Sequence, residues 1–398
     1  MVPFEQFKKF YFLYFLYLGI IFDGINTVLA YKFGAGSFFS VSIFYRIFLI
    51  LFIIIKFINK IEYVSVYKKL LLFILIVLIG QLSLNLQYSH DRLFEVLNMS
   101  SKLLYIYIIF IPINYYCTKY SDYAQKLKTF LYVFIILNSL IIMISAVFKI
   151  ELFSSYRPQG YYQDLPYDQV RFGYKGIIPA INETMAFYFV AQAFIYREYF
   201  DKKNYTNLFI LFLVVISGLL TGAKGAVISL IFISAYYLLK YNKKIFFLTV
   251  FGIVGIFIIY LDKILEFINQ AFATLVYLFY HSSNSIEFLT TGRINKLFAS
   301  IDFIKRYWSL PNYLFGGSEH FKMSIEMDFF DGYFLLGLGF FILLKAYYDI
   351  GFKFRRADEK FIFIVFLILS FWGGHMMTSA IFSTYYIIYL ATDDKIHD

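Results

Sequence analysis

The sequence predicts an all-α polytopic membrane protein, and three observations carry that expectation. Of its 398 residues, 61% are hydrophobic and only 16% charged, whereas soluble chains are roughly 45–50% apolar and about 25% charged. The excess is global, since mean hydropathy over the whole chain is +0.68. Apolar runs of about 20 residues, the length that crosses a bilayer's hydrocarbon core, also recur along the chain with basic residues between them. Soluble, disordered, collagen-like and disulfide-rich secreted classes are excluded.

Candidate spans lie at 10–31, 37–58, 67–86, 93–117, 127–149, 179–196, 205–222, 223–240, 244–261, 332–350, 360–377 and 378–392, twelve in all. The pairs 205–240 and 360–392 can each also be read as a re-entrant hairpin. The first span follows Lys8 and Lys9 without a small-residue cleavage site behind it, so it reads as retained. With both termini in the cytoplasm, Lys56, Lys60, Lys119, Lys128, Arg197, Lys240, Arg355 and many other cations fall inside, while the short outer turns hold only Lys32, Arg92 and Lys224. This bias is the positive-inside pattern of a multi-pass protein. Residues 1–398 then form one integral membrane domain with two outward loops, 150–178 and the larger 262–330. No convincing internal repeat is present, which argues against inverted-repeat transporters.

The net charge of +10 is spread over inter-span segments and does not point to nucleic acid. The lone Cys117 forbids an intramolecular disulfide, and five His without paired spacing leave no metal motif. No cofactor or metal is expected.

Within the second loop, Thr290 and Thr291 can cap a helix starting near Gly292. Ile294, Leu297, Phe298, Ile301, Ile304 and Trp308 then recur at helical spacing as one apolar stripe, with Arg306 nearly opposite and Arg293 on its flank. Such a helix lies on a membrane surface and turns its arginines to water or phosphate. Arginine suits that task because its planar fork binds phosphate oxygens bidentately and keeps its charge.

Chemistry-bearing residues collect at the outward ends. The run Arg171-Phe172-Gly173-Tyr174-Lys175-Gly176 leads to Asn182 and Glu183 as a span begins; a carboxylate and an amide there are costly unless partnered. The bland alternative is a turn and a helix cap. The small-residue hairpin Thr221–Ala226 carries Lys224, read as a tight turn or as a phosphate-facing lysine. The acidic cluster Glu326, Asp328 and Asp331 precedes a glycine-bearing span. It either caps that helix or supplies a general base toward a sugar hydroxyl, and His320 is a second candidate base. Asp23 and Arg46, each roughly 12–14 Å deep in adjacent spans by helical rise, are expected to pair as a structural ion pair rather than to couple ions or protons.

The set Arg171 to Glu183, Thr221–Ala226, Thr291-Gly292-Arg293, Phe315-Gly316-Gly317 and Glu326 to Asp331 with Gly337 and Gly339 resembles the Wzy-type polysaccharide polymerases, relatives of the O-antigen ligases. The likeness covers about 170–340; the first 150 residues match only as hydrophobic spans. Arg306 and Gly317 also fit an arginine and a glycine with ten residues between them seen in some members, whereas the first loop departs from it. The resemblance implies a GT-C-like, metal-independent glycosyltransferase of the bacterial inner membrane. Its substrates would be undecaprenyl-pyrophosphate-linked oligosaccharide repeat units joined into O-antigen or capsule at the outer face. It implies that Arg171, Arg293, Arg306 and Lys224 hold pyrophosphate. Glu326, Asp328 and Arg293 would be catalytic, with Asn182, Glu183, Asp331 and His320 around the acceptor. Implied partners are the lipid bilayer, a chain-length regulator and a flippase of the same pathway. A ligase and a lipid-linked oligosaccharide flippase are the alternatives; charges lining a central cavity from both halves favour the flippase, and charges beside the outer loops the polymerase.

Overall fold

The computed structural model describes residues 2–33, 41–88, 93–154, 173–244, 247, 293–319, 325, 327–352, 357–373 and 376–392. Among them the chain is helical with no strand, apart from a single bridge between Ser154 and Tyr174. Eight helices build the first half: α1 (Val2–Phe33), α2 (Val41–Phe57), α3 (Val64–Gln87), α4 (Leu93–Lys119), α5 (Tyr123–Phe148), α6 (Ile181–Lys202), α7 (Tyr205–Leu220) and α8 (Lys224–Tyr241). After residues outside the described set come α9 (Arg293–Tyr307), α10 (Leu310–Phe315), α11 (Asp328–Leu336), α12 (Gly339–Phe352), α13 (Ala357–Gly373) and α14 (Ala380–Ala391).

Among the described residues, four helices are long and apolar enough to cross a membrane: Lys9–Phe33, Val64–Gln87, Val96–Lys119 and Tyr123–Phe148. Tyr205–Leu220, Gly225–Tyr241 and Ala380–Ala391 are shorter and equally apolar. Side chains such as Ile21, Ile55, Leu82, Val147, Phe209 and Ile231 stand exposed on the outer faces. A water-soluble protein does not present that much apolar surface; these helices mark a membrane-embedded chain. The expected span at 244–261 lies outside the described residues except at 244 and 247.

The centre of the bundle is not its most apolar part. Every residue of α6 from Thr184 to Glu198 is buried, and so is almost all of α14. A helix buried all round is surrounded by protein, so α6 can carry Glu183, Gln192, Arg197 and Glu198, which lipid would not accept. α14 packs against α4 and α6, and α6 against α7 and α8.

Two corrections concern the expected elements. The predicted span 332–350 is two helices, α11 and α12, broken at Gly337, whose φ is +55°. The break lets α10 dock backbone to backbone: Leu338 N–H donates to Leu314 O at 3.0 Å and Gly317 N–H to Phe334 O at 2.9 Å. In the other correction, α9 begins at Arg293 as expected, but its buried face is Ser300, Phe303 and Ile304, with Trp308 just beyond. Phe298 is 60% exposed, outside the contact. The aromatic pairs decide the rotation: Tyr88 meets the Phe303 ring at 5.1 Å and the Tyr307 ring at 4.8 Å.

The junction of α3 with α10 explains the Phe315-Gly316-Gly317 motif as close packing. A Cβ on Gly80 would lie 2.7 Å from Gly316 O. Asn312 Nδ2 donates to Gly80 O and to Gly316 O, each at 2.8 Å, and Ser83 Oγ donates to Asn312 Oδ1 at 3.0 Å. Trp308 Nε1 donates to Gly317 O at 3.0 Å.

Two outcomes follow. Gly80→Ala gains about 1 kcal/mol of helix propensity but must displace backbone, which costs about 1–3 kcal/mol. A lower unfolding midpoint in detergent is therefore expected, and a raised midpoint would refute this packing. At the opposite end of the bundle, Lys9 pairs with Asp122 and holds that carboxyl below its ordinary value. A depressed folded value adds stability above the unfolded carboxylate pKa of about 3.9 and loses it as pH falls through the folded one. For this half-exposed pair the gain is about 0.5 kcal/mol, so the melting difference between wild type and Asp122→Asn should persist from neutral pH to about pH 5, begin to shrink near pH 4 and vanish only once pH has fallen through the lower folded value.

Candidate functional site

The bundle has two poles. One gathers the ends of α1, α3, α5, α7 and α13, the starts of α2, α4, α6, α8, α11 and α14, and the segments flanking the long loops; it is called the loop pole. The other, holding most of the inter-helix lysines, is the basic pole.

At the loop pole residues 173–180 fold into the bundle. Gly173 and Gly176, at φ +157° and +65°, approach neighbouring chain so closely that a Cβ would lie 2.8 Å from Thr221 C and 2.9 Å from Asn138 Cγ, respectively. Asn138 Oδ1 accepts from Ile177 N at 2.9 Å, and Thr27 Oγ1 donates to Ile177 O at 2.7 Å, fastening the segment to α5 and α1. Lys175 Nζ donates to Pro179 O at 2.8 Å. This segment delivers the start of α6 to the interior.

There Glu183 meets charges from three other helices. Arg46 of α2 reaches Asp23 of α1 at 3.1 Å and Glu183 at 3.5 Å. Ser42 Oγ donates to Asp23 Oδ1 at 2.7 Å. Lys102 of α4 stands in electrostatic range of both Glu183 and Arg46. Arg46 thus faces two carboxylates, and Lys102 adds a second positive charge in range of Glu183, toward the balance that membrane burial demands. Beside them Asp23, Arg46, Tyr105, Thr384 and Tyr385 line a cavity of about 40 Å³, room for a water-sized molecule but not a saccharide. Chemically the cluster offers two phosphate-binding cations and two proton acceptors.

The other sequence candidates separate. Asp328 accepts from the backbone N–H of Met376 at 2.6 Å and Met377 at 2.8 Å, and from Thr378 Oγ1 at 3.4 Å. Asp331 accepts from Ile325 N at 2.9 Å and Met327 N at 3.2 Å. Both carboxylates tie loop backbone to the start of α11. Arg293 opens α9, and Arg306 lies exposed in its last turn, away from the Arg46 cluster in sequence and on a different helix. Asn182 is half-buried beside Glu183 at the start of α6. Lys224 begins α8, its side chain outside the described set, and Arg171, His320 and Glu326 lie outside it too.

Sequence reasoning paired Asp23 with Arg46 but missed Glu183 as their third member and Lys102 as the fourth. Lys102, an ionisable residue well inside an apolar run, was the available signal. It also read Lys128, Arg197 and Lys240 as loop cations. Arg197 is instead 1% exposed. Its Nη1 donates to Tyr389 O at 3.1 Å and its Nη2 to Thr392 Oγ1 at 3.0 Å, and its guanidinium lies over the Tyr389 ring at 4.4 Å. Lys128 pairs with Glu198 at 2.7 Å, and Lys240 pairs with the buried Asp358. Counting cations near span ends cannot separate a solvated lysine from one drawn inward by a buried acid.

Comparison with known protein families, characterised proteins and solved structures finds no match for this chain.

Because Arg46 is shared, its loss leaves two carboxylates facing each other, whereas loss of either acid leaves one pair intact. Removing one partner of a buried pair costs about 3–5 kcal/mol. Arg46→Gln is expected to lower the detergent unfolding midpoint more than Asp23→Asn or Glu183→Gln. Equal effects from all three would break the shared-partner reading.

Proposed function

We propose that the protein is a Wzy-type membrane glycosyltransferase. In this reading it polymerises undecaprenyl-pyrophosphate-linked oligosaccharide units at the outer face of a bacterial inner membrane, within a GT-C-like bundle of twelve spans with both termini cytoplasmic. The observation that carries the reading is the cation–carboxylate cluster of Arg46, Lys102, Asp23 and Glu183, which sits beside the inserted segment 173–180. A pyrophosphate leaving group needs cations held in a low-dielectric site, and an acceptor hydroxyl needs a carboxylate to take its proton.

On this reading Arg171, Arg293, Arg306 and Lys224 hold pyrophosphate as the family resemblance implies, and Arg46 and Lys102 add charge from within the bundle. Asp328 and Asp331 serve as backbone anchors, because their oxygens are engaged by N–H groups. Glu326 or Glu183 is then the base. The sugar binds on the loop side of the cluster, since the cavity beside Arg46 is too small for it.

A lipid-linked oligosaccharide flippase is the second reading. The cavity beside Arg46 is lined by helices of both halves of the chain, but its charged residues, Asp23 and Arg46, both come from the first half, so this reading draws on the shared lining alone.

Deletion of the gene separates these, with surface polysaccharide resolved by length on a gel. A polymerase predicts loss of the ladder with a single unit still attached. Single units accumulating on the inner side would favour the flippase, and lipid-linked polymer accumulating outside would favour a ligase. In the complemented strain, Arg293→Ala at normal protein level is expected to abolish long chains; unchanged chain length would remove Arg293 from the mechanism.

A further inference from the structure

A second site lies at the basic pole, away from the Arg46 cluster. Between α1, α2 and α4 there is a cleft of about 500 Å³, within the range of about 300–1,000 Å³ of small-molecule sites. Lys56 and Lys60, at and just beyond the end of α2, bound one side, and Lys119, the last residue of α4, bounds the other. All three side chains are exposed. Tyr11, Phe52 and Phe57 supply apolar wall, and the Tyr11 and Tyr116 hydroxyls are hydrogen-bonded to each other beneath it.

The lysines are seated rather than splayed. Lys56 Nζ lies 5.1 Å from the Tyr11 ring centroid. Lys60 and Lys119 share one ring, at 5.5 Å and 5.4 Å from the Tyr115 centroid, and Lys119 Nζ also contacts the Tyr115 hydroxyl at 3.1 Å. Among the described residues none of the three forms an ion pair with a carboxylate; the nearby Asp122 pairs with Lys9 instead. Lysines that merely complement a helix C-terminus or mark topology need only reach water. They need no aromatic-walled cleft, and two ammonium groups gathered on one ring repel each other unless an anion joins them.

We propose that this cleft binds an anionic phospholipid headgroup bearing two phosphates, drawn from the leaflet around the basic pole. Three lysines complement a doubly charged headgroup, the aromatic wall takes the first part of the acyl chains, and basic pockets between membrane helices bind such lipids on electrostatic grounds.

The test uses the full-length protein in detergent, with lipid binding read by native mass spectrometry. The probes are diphosphatidylglycerol, phosphatidylglycerol, phosphatidylethanolamine and inorganic phosphate. Diphosphatidylglycerol should bind tightest and phosphatidylethanolamine weakest. Each lysine near a phosphate contributes about fivefold, so the combined variant Lys56→Gln, Lys60→Gln, Lys119→Gln should bind diphosphatidylglycerol about a hundredfold more weakly. Lys345→Gln, which removes an exposed charge paired with Asp349, should leave binding unchanged. If the triple variant does not elute as a folded monodisperse species, Lys60→Gln alone, outside any helix, should still show the fivefold loss. Undiminished binding in the lysine variants, an equal loss in Lys345→Gln, or displacement of the lipid by millimolar inorganic phosphate would each overturn the proposal.

Discussion

Hydrocarbon offers no water to a buried polar group, and that constraint organises this bundle around α6. Its first turn carries Glu183, and its last turns carry Arg197 and Glu198. Arg197 follows Glu183 by fourteen residues, about 21 Å along the axis. Each end must therefore find its own partners, because no single cluster reaches both. At the loop pole α1, α2 and α4 provide them through Asp23, Arg46 and Lys102; at the basic pole α5, α13 and α14 do so through Lys128, Glu359 and the Thr392 hydroxyl. Of these helices only α14 packs extensively against α6, whose other close neighbours are α7 and α8, so most of the charge partners reach α6 from helices that pack mainly elsewhere.

The remaining polar contacts serve the same end. α6 is reached from the loop pole only through residues 173–180, whose glycines lie against Thr221 and Asn138 with no room for a Cβ. Asn138 spends its carbonyl on the Ile177 N–H, so a segment without helical hydrogen bonds is satisfied inside the bundle. The junction of α10 with Gly80 and Gly337 uses an asparagine in the opposite sense, Asn312 donating from Nδ2 to two backbone carbonyls where Asn138 accepts from an N–H. In both places one asparagine and paired glycines replace the hydrogen bonds that a broken backbone would leave open.

The helices were legible because a 20-residue apolar run has few other meanings, and the Asp23–Arg46 pair because helical rise fixes depth from sequence alone. Glu183 and Lys102 were not placed in that cluster, because depth says nothing about which helices are neighbours. The glycine motifs were visible as glycines, but what lies against each one belongs to a different helix. Phe303 replaced Phe298 in the buried face of α9 since a stripe counted on one helix ignores Tyr88 on another. Asp328 and Asp331 look alike in sequence as catalytic acids and as caps; only the N–H groups of Met376, Met377, Ile325 and Met327 distinguish the two.

The two buried clusters differ in a way that bears on function. At the basic pole Arg197 has backbone and hydroxyl acceptors and a stacked tyrosine, and its neighbours include Glu198 and Glu359. A site so fully engaged has little to gain from a ligand, and its charges read as architecture. At the loop pole Arg46 pairs, among the described residues, with two carboxylates, with a largely apolar cavity beside it and partial exposure of all three side chains. An anionic ligand there need only compete with carboxylates, one of which is then released to accept a proton. On the proposed function that exchange would link holding a phosphate to activating a hydroxyl within one cluster, and it is why the proposal places the chemistry at the Arg46 pole rather than at the equally charged pole around Arg197.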